Sequence, residues 1–235
     1  MSGRRDARRE LMSAAISLSL AHGFEATTVD EIAAAAGVAR RTFFRHFRAK
    51  EDAVLPDHDA CLERVRAFLD AASPLDPPLQ VVARAAELVL DMYAADPETA
   101  VRRYEVIRRV PALREWEIAA TSRYQRAFVT YLNARRPAAD LDGFRLHHEV
   151  AASAVAATHN HVLRTWLRAT APGDVRPLFT AAITEVLTAL TPWLDSGTAA
   201  PAATPADDIM IILAPRTTPL WKLAESIRAA ADPAP

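Results

Sequence analysis

Cysteine is nearly absent from this sequence. Cys61 stands alone, which excludes an internal disulfide framework and any CxxC metal or redox site, and suits a reducing cytosol. Glycine is scarce at 6 residues and aromatics reach only 7%. Alanine is abundant while β-branched and aromatic residues are thinly spread, a balance that predicts an all-α protein. No apolar run approaches the roughly 20 residues a membrane helix needs, so no membrane partner is expected. Basic residues Arg4, Arg5, Arg8 and Arg9 ahead of Leu11–Ala21 superficially resemble a signal peptide. Ser13, Ser17 and Ser19 interrupt that stretch and Asp6 and Glu10 sit in its basic part, so it reads as an amphipathic helix instead. What remains is ample for a core: 235 residues, 51% hydrophobic and 24% charged, a composition that argues against disorder.

The formal net charge of −1 hides a division. Residues 1–50 carry a net +4 and the remainder a net −5. From Arg40 to Lys50 the chain holds Arg40, Arg41, Arg45, Arg48 and Lys50 with no acid among them. A solvated helix face normally mixes both signs. A local patch of one sign on a near-neutral protein points to a polyanion, nucleic acid or anionic membrane.

Helical spacing explains how that patch is displayed. Leu11, Ala15 and Leu18 share a face between Arg4 and His22, and Gly23 offers the left-handed position that ends the helix, with Phe24 as its apolar contact. Thr28 with Glu31 forms a capping-box pattern before a short helix carrying Ile32, Ala33 and Ala36. Gly37 makes the turn, and a third helix is predicted from Ala39 to Phe47. Phe43 and Phe47 fall on its inner face, and Arg41, Phe44, Arg45 and Arg48 project from the other. Two short helices around a tight glycine turn, the second basic outside, make a helix-turn-helix, whose second helix enters the major groove.

The stretch Thr27-Thr28-Val29-Asp30-Glu31-Ile32-Ala33, then Gly37-Val38, Thr42-Phe43-Phe44-Arg45-His46-Phe47 and Lys50-Glu51, resembles the N-terminal domain of the TetR family of transcriptional regulators over residues 8–55. The resemblance implies that Thr28 touches phosphate, that Arg40, Arg41 and Thr42 face bases, that Phe44 lies against the sugar-phosphate backbone, and that His46 and Lys50 hold phosphates, within a DNA-binding face that includes Arg45. Two departures stand out. Ala39 occupies a position where the family usually has a capping residue, a loss of about 1 kcal/mol, and Phe44 replaces a common tyrosine. The basic arm Arg4–Arg9 is a candidate to compensate by reaching into a minor groove.

The larger remainder reads as a bundle. A long connecting helix is predicted over Ala49–Ala71, then helices over Pro78–Ala95, from Pro97 to before Pro111, and from Pro111 to about Arg136, the last with Leu113, Trp116, Ala120, Tyr124, Phe128 and Tyr131 on a stripe. Helices Asp142–Thr170 and Asp174–Asp195 follow. The family resemblance implies that these two pair with their copies in a second subunit. Phe144, Ala151, Val155, Val162 and Trp166 form a heptad-like stripe on the first, and Leu178, Ala182, Val186 and Leu190 on the second; either stripe could instead face the protein's own core. Residues 196–206 read as a Pro/Ala/Thr-rich linker, followed by the apolar run Ile209–Leu213 and a helix opened by Thr218 and Pro219. The domain division expected is 1–48 helix-turn-helix, 49–195 regulatory and dimerisation bundle, and 196–235 linker and tail.

No enzyme motif competes. No glutamate has a histidine three residues on, and neither His-Glu-x-x-His, Gly-x-Ser-x-Gly nor a phosphate-loop glycine pattern occurs. His147 and His148 are neighbours that point apart on a helix, and no metal or cofactor is expected. One of His148, His159 or Asn160 is a candidate buried polar group in a cavity. The expectation is a cytoplasmic, nucleoid-associated, homodimeric, ligand-responsive repressor of an inverted-repeat operator in double-stranded DNA. The alternatives are a regulator of the same fold controlled by a protein partner or by nothing, and, remotely, a helical enzyme. The candidate effector is lipophilic or acyl-CoA-like, met by Tyr93, Arg103, Tyr104, Trp116, Tyr124, Phe128, His159 and Trp166. Met92 and Arg108 stand nearby in the same helices.

Overall fold

The computed structural model describes residues 2–136 and 141–196, with side chains for 7–136 and 143–194. The predicted linker and tail helix therefore lie outside the described residues. Among the described residues there are ten helices and no strand.

Helix α1 (Ser2–His22) ends at Gly23, whose φ of 89° is left-handed and whose N–H closes on the Ser19 carbonyl at 3.1 Å. The proposed basic arm is thus the first part of a helix, and Arg8 is engaged, with Nη2 2.9 Å from Asp57 Oδ2 and its guanidinium over the Phe47 ring. Helix α2 (Val29–Ala35) is capped by Thr28, and Glu31 returns the bond to the Thr28 N–H at 2.8 Å, so the capping box is complete. Gly37, φ 66°, then reverses the chain: its N–H bonds the Ala34 carbonyl and the Val38 N–H bonds that of Ala33. This double closure fixes the angle between α2 and α3 (Arg40–Phe44). Helix α3 is shorter than predicted, and its N-cap Ala39 supplies no side-chain bond, as the sequence suggested.

The long connecting helix predicted over 49–71 is two helices. Pro56 lacks an N–H and forces the preceding residue out of the helical region, so Leu55 sits at ψ 150°. The break separates α4 (Lys50–Val54) from α5 (His58–Asp70). Helices α6 (Pro78–Ala94), α7 (Pro97–Arg109) and α8 (Pro111–Ala134) each begin with proline in the first turn, where its missing N–H costs nothing. Helices α9 (Leu141–Arg168) and α10 (Arg176–Ser196) complete the bundle.

Two apolar clusters organise the chain. The larger joins α5, α6, α8, α9 and α10 around Leu62, Val82, Phe128, Val155, Trp166 and Phe179. The smaller gathers Leu11, Ile16, Ile32, Phe43 and Phe47 of the N-terminal helices, and it also contains Val54, Leu55, Val106, Ile107 and Leu113. Helix α1, against which α2 and α4 pack, is the element that rests on α7, and Leu113 in the first turn of α8 joins the same cluster.

The stripe on α9 corrects the sequence expectation. Phe144, Ala151, Val155, Val162 and Trp166 are all buried within the protomer, so that face belongs to its own core. The outer face of α9 carries Leu146 and Val150, both exposed. On α10, Phe179, Ile183 and Leu194 face inward, Ala182, Val186 and Leu190 are partly covered, and Leu178 is 53% exposed. Helix α10 also corrects the expectation about apolar runs: Arg176–Leu194 has a mean hydropathy of 1.2 and is long enough to cross a membrane, and 17% of it is buried. Its inward anchors and its outward Thr180, Thr184, Glu185 and Thr188 mark it as an outer helix of the bundle.

Candidate nucleic-acid interface and ligand cavity

Phe43 and Phe47, with ring centroids 5.3 Å apart, anchor α3 to the small core and leave the opposite side free. On that side Arg40, Arg41 and Arg45 are exposed, Thr42 and His46 are half-buried, and Phe44 is 49% exposed. Arg40 is not a free cation: it pairs with Asp30 of α2, and its guanidinium lies 5.5 Å from the Phe44 ring centroid. The Thr28 hydroxyl belongs to the capping box.

Lys50 departs from its expected role. Its ammonium donates to the carbonyls of Phe24 at 2.9 Å, Thr27 at 3.2 Å and Glu25 at 3.3 Å, and it lies 4.4 Å from the Phe24 ring centroid. An ammonium has three N–H donors, and all three have acceptors here. In this structure Lys50 ties α4 to the turn between α1 and α2 instead of being held ready for a phosphate.

The second site lies inside the bundle. A cavity of about 600 Å³ opens between α5, α6, α7, α8 and α9. It is lined by Tyr93, Arg103, Tyr104, Tyr124, Phe128 and His159 among the predicted residues, and by Asn160. Two predicted residues are not there. Trp116 is 57% exposed on the outside of α8, and Trp166 is buried in the core behind the cavity wall. His148 lies apart from the cavity and donates Nδ1–H to Asn133 Oδ1 at 2.6 Å.

The cavity's polar centre was missed in the sequence. Glu117 of α8 accepts from the Tyr93 hydroxyl at 3.1 Å and meets His58 Nε2 at 3.1 Å. His58 Nδ1 lies 3.1 Å from the Tyr124 hydroxyl, which also donates to the His58 carbonyl at 3.3 Å. Burial, then the Glu117 charge, pushes the Tyr93 hydroxyl well above its ordinary pKa, and burial raises Tyr124. Both phenols stay neutral donors. The signal for Glu117 is its place at helical spacing between Leu113 and Ala120, on a stripe that is otherwise apolar.

Above this centre the cavity is positive. Arg108, Arg114, Arg164 and Arg168 line it and are exposed, which places them at its opening. Arg168 Nε donates to the Tyr104 hydroxyl at 3.1 Å. Arg103 is buried and donates Nε to the carbonyl of Val54, the last residue of α4, at 2.6 Å. No group of residues that could hold a metal ion occurs among the described residues.

His159 gives a pH prediction. Burial lowers its pKa to about 4, against an ordinary value of 6.5. The unfolded chain therefore binds the proton first as pH falls, so stability is full above 6.5 and is lost towards pH 4. The loss is about 3 kcal/mol by linkage. In urea titrations at pH 7, 5.5 and 4.5, His159→Phe should remove much of this slope. A slope unchanged in the variant would assign the acid sensitivity to other groups.

Comparison with known proteins adds to this geometry. Residues 11–55 match the family model described as bacterial regulatory proteins, tetR family. The helix-turn-helix segment is therefore similar to that of the tetR family. It is 33% identical over 144 residues to the HTH-type transcriptional regulator TcmR of Streptomyces glaucescens, covering 59% of this chain and 63% of that protein. The chain thus spans about three-fifths of the length of the curated TetR-family relatives it matches. The solved SmeT–triclosan complex, SmeT being the repressor of a Stenotrophomonas maltophilia multidrug efflux pump, shares the fold at a TM-score of 0.57 and 21% identity, over 78% of this chain and 90% of that one. The regulator FadR from Bacillus subtilis in complex with stearoyl-CoA shares it at 0.54 and 17%, over 76% and 96%. At those identities the fold is what the structures have in common.

Proposed function

We propose that the protein is a non-enzymatic, cytoplasmic, homodimeric regulator of transcription that represses by binding an inverted-repeat operator and leaves it when a lipophilic small molecule enters the cavity. The observation that carries this reading is the contact between the two sites: Arg103, a cavity residue, bonds the last carbonyl of α4, and α1, against which α2 and α4 pack, rests on α7. Residues 1–48 serve as the reading head and 49–195 as the sensing and dimerisation bundle. A short reading helix spans only a few base pairs, so selectivity requires two heads. Arg40, Arg41 and Thr42 are assigned to bases, and Thr28, Phe44, Arg45 and His46 to the backbone.

Support for the dimer comes from α9 and α10, whose outer faces carry Leu146, Val150 and Leu178 exposed. Support for the effector class comes from a cavity of about 600 Å³ with an apolar wall, a small polar centre and an arginine-lined opening. These features suit an apolar body with one anionic end. SmeT holds triclosan and FadR stearoyl-CoA in the same fold, so long-chain acyl-CoAs and compact aromatics are the first two classes to try.

The test is binding to operators selected from a randomised duplex library. Arg41→Ala should weaken specific binding by about 1–3 kcal/mol and relax preference at one symmetric pair of positions. Arg45→Ala should weaken all sequences alike and flatten the salt dependence. Uniform losses in both variants would remove Arg41 from base readout. Long-chain acyl-CoAs, free fatty acids and triclosan are then added to the complex. Release together with a raised melting temperature identifies the effector class, and silence from all three classes rejects a lipophilic effector.

A further inference from the structure

We propose that Asp30 is a positioning residue for DNA readout: it fixes the Arg40 guanidinium so that each half-site selects a G·C pair at one position. This rests on the DNA-binding reading above. Asp30 lies in the first turn of α2, and its carboxylate pairs with Nη1 of Arg40, the first residue of α3. Phe44, one turn along α3, sets its ring 5.5 Å from the same guanidinium. A carboxylate holds one edge of the fork and an aromatic ring lies near its face. The two helices that carry these groups are held at a fixed angle by the Gly37 turn and the Thr28–Glu31 capping box.

The chemistry of the fork decides what it reads. A guanidinium has five N–H donors, and Asp30 engages it only through Nη1. Nη2 and Nε remain for a two-point contact, and guanine presents two acceptors, O6 and N7, on its major-groove edge. Fixing the plane in advance lowers the ordering cost of that contact.

Asp30 is otherwise hard to place. The side chains of Asp30 and Arg40 are 63% and 59% exposed, so their pairing adds little to stability. A carboxylate beside the proposed phosphate contact at Thr28 also repels DNA. Glu31, the other acid of that turn, is taken up by the capping box. Among the described residues, Asp30 pairs with the arginine it orients.

The experiment compares Asp30→Asn, Arg40→Ala and the double variant with the wild-type full chain. It uses the selected operator, operators carrying each base at every position, and an unrelated duplex at three salt concentrations. Asp30→Asn should bind operator roughly tenfold more weakly, the scale of one charged hydrogen bond, and lose guanine preference at one symmetric position. Its binding to the unrelated duplex should stay equal or tighten, because a negative charge has gone. Arg40→Ala should lose preference at the same position, and adding Asp30→Asn to it should change operator binding little. Melting temperatures should match within a degree or two, since the pair is exposed. Base preference unchanged in Asp30→Asn, or losses at different positions in the two single variants, would overturn the proposal while leaving the DNA-binding reading intact. Wild-type protein that bound every duplex alike would overturn that reading, and the proposal with it.

Discussion

A carboxylate placed on the outer face of the last two helices, as in Leu178→Glu or Val150→Glu, is expected to yield a folded monomer that no longer holds its operator. Leu178 is 53% exposed and Val150 41% exposed in the protomer, so a charge at either costs the isolated fold little. In a two-fold interface the same substitution buries two like charges against apolar neighbours, which is costly unless they are paired. Separating the heads removes the advantage of simultaneous engagement, about 10²–10⁴-fold in affinity. Sedimentation reports the mass, circular dichroism the helix content and fluorescence anisotropy the operator affinity. A dimer persisting in both variants would put the interface elsewhere, and loss of helix content would put these residues in the core. Val186 is a poorer probe than its helical spacing suggests, because it packs against the protomer's own cluster.

Which of these features the sequence could reveal follows from how far each signal reaches along the chain. The capping box at Thr28 and Glu31, the turn at Gly37 and the inward Phe43 and Phe47 are local, and each has its predicted place. Helix starts marked by Pro78, Pro97 and Pro111 are equally local. Pro56 was local too, yet it was read through, because apolar spacing continues across it from Leu55 to Leu62. Leu55 in fact joins the small cluster and Leu62 the large one.

Facing is the information that spacing lacks. A heptad stripe on α9 states that one side is apolar, and it is silent on whether the protomer or a copy covers it. Phe144 through Trp166 turned inward, while Leu146 and Val150, which break the stripe, turned out. The same ambiguity misplaced Trp116, chosen for its size, and hid Glu117 beside it. On α8 the buried face runs from Leu113 to Ala120, Tyr124 and Phe128, and Glu117 sits on that face one position from the tryptophan. Lys50 was read as a phosphate grip because the resemblance offers a cation there. Its three carbonyl acceptors come from the turn some 25 residues earlier in the chain, a contact that no local pattern encodes.

Arg103→Met should uncouple sensing from DNA release, and it should also destabilise the protein by about 3 kcal/mol, because a buried charge-assisted hydrogen bond is lost and its acceptor is left unpaired. Arg103 is 7% exposed, and burial lowers its pKa, with the charges of Glu117 and Asp96 opposing that shift. Its Nε bonds the Val54 carbonyl where Leu55 and Pro56 interrupt the chain between α4 and α5. The same joint is held by Arg8 on Asp57 at 2.9 Å and by His58 on Glu117 at 3.1 Å. Arg103, Glu117 and His58 all line the cavity, and each of them bears on this joint. On the proposed reading, movement there would shift α4, which is tied through Lys50 to the turn before α2, and so change the spacing of the two heads. Coupling of this kind is reciprocal: the factor by which effector weakens operator equals the factor by which operator weakens effector. That factor is typically 5–150-fold in such systems and should approach one in Arg103→Met, measured from effector titrations with and without operator below the variant's lowered melting temperature. Methionine preserves bulk in the cavity wall, so effector affinity in the absence of DNA should change far less than the coupling. An unchanged coupling factor with lowered stability would make Arg103 a structural strut and move the transmission route to His58 and Glu117.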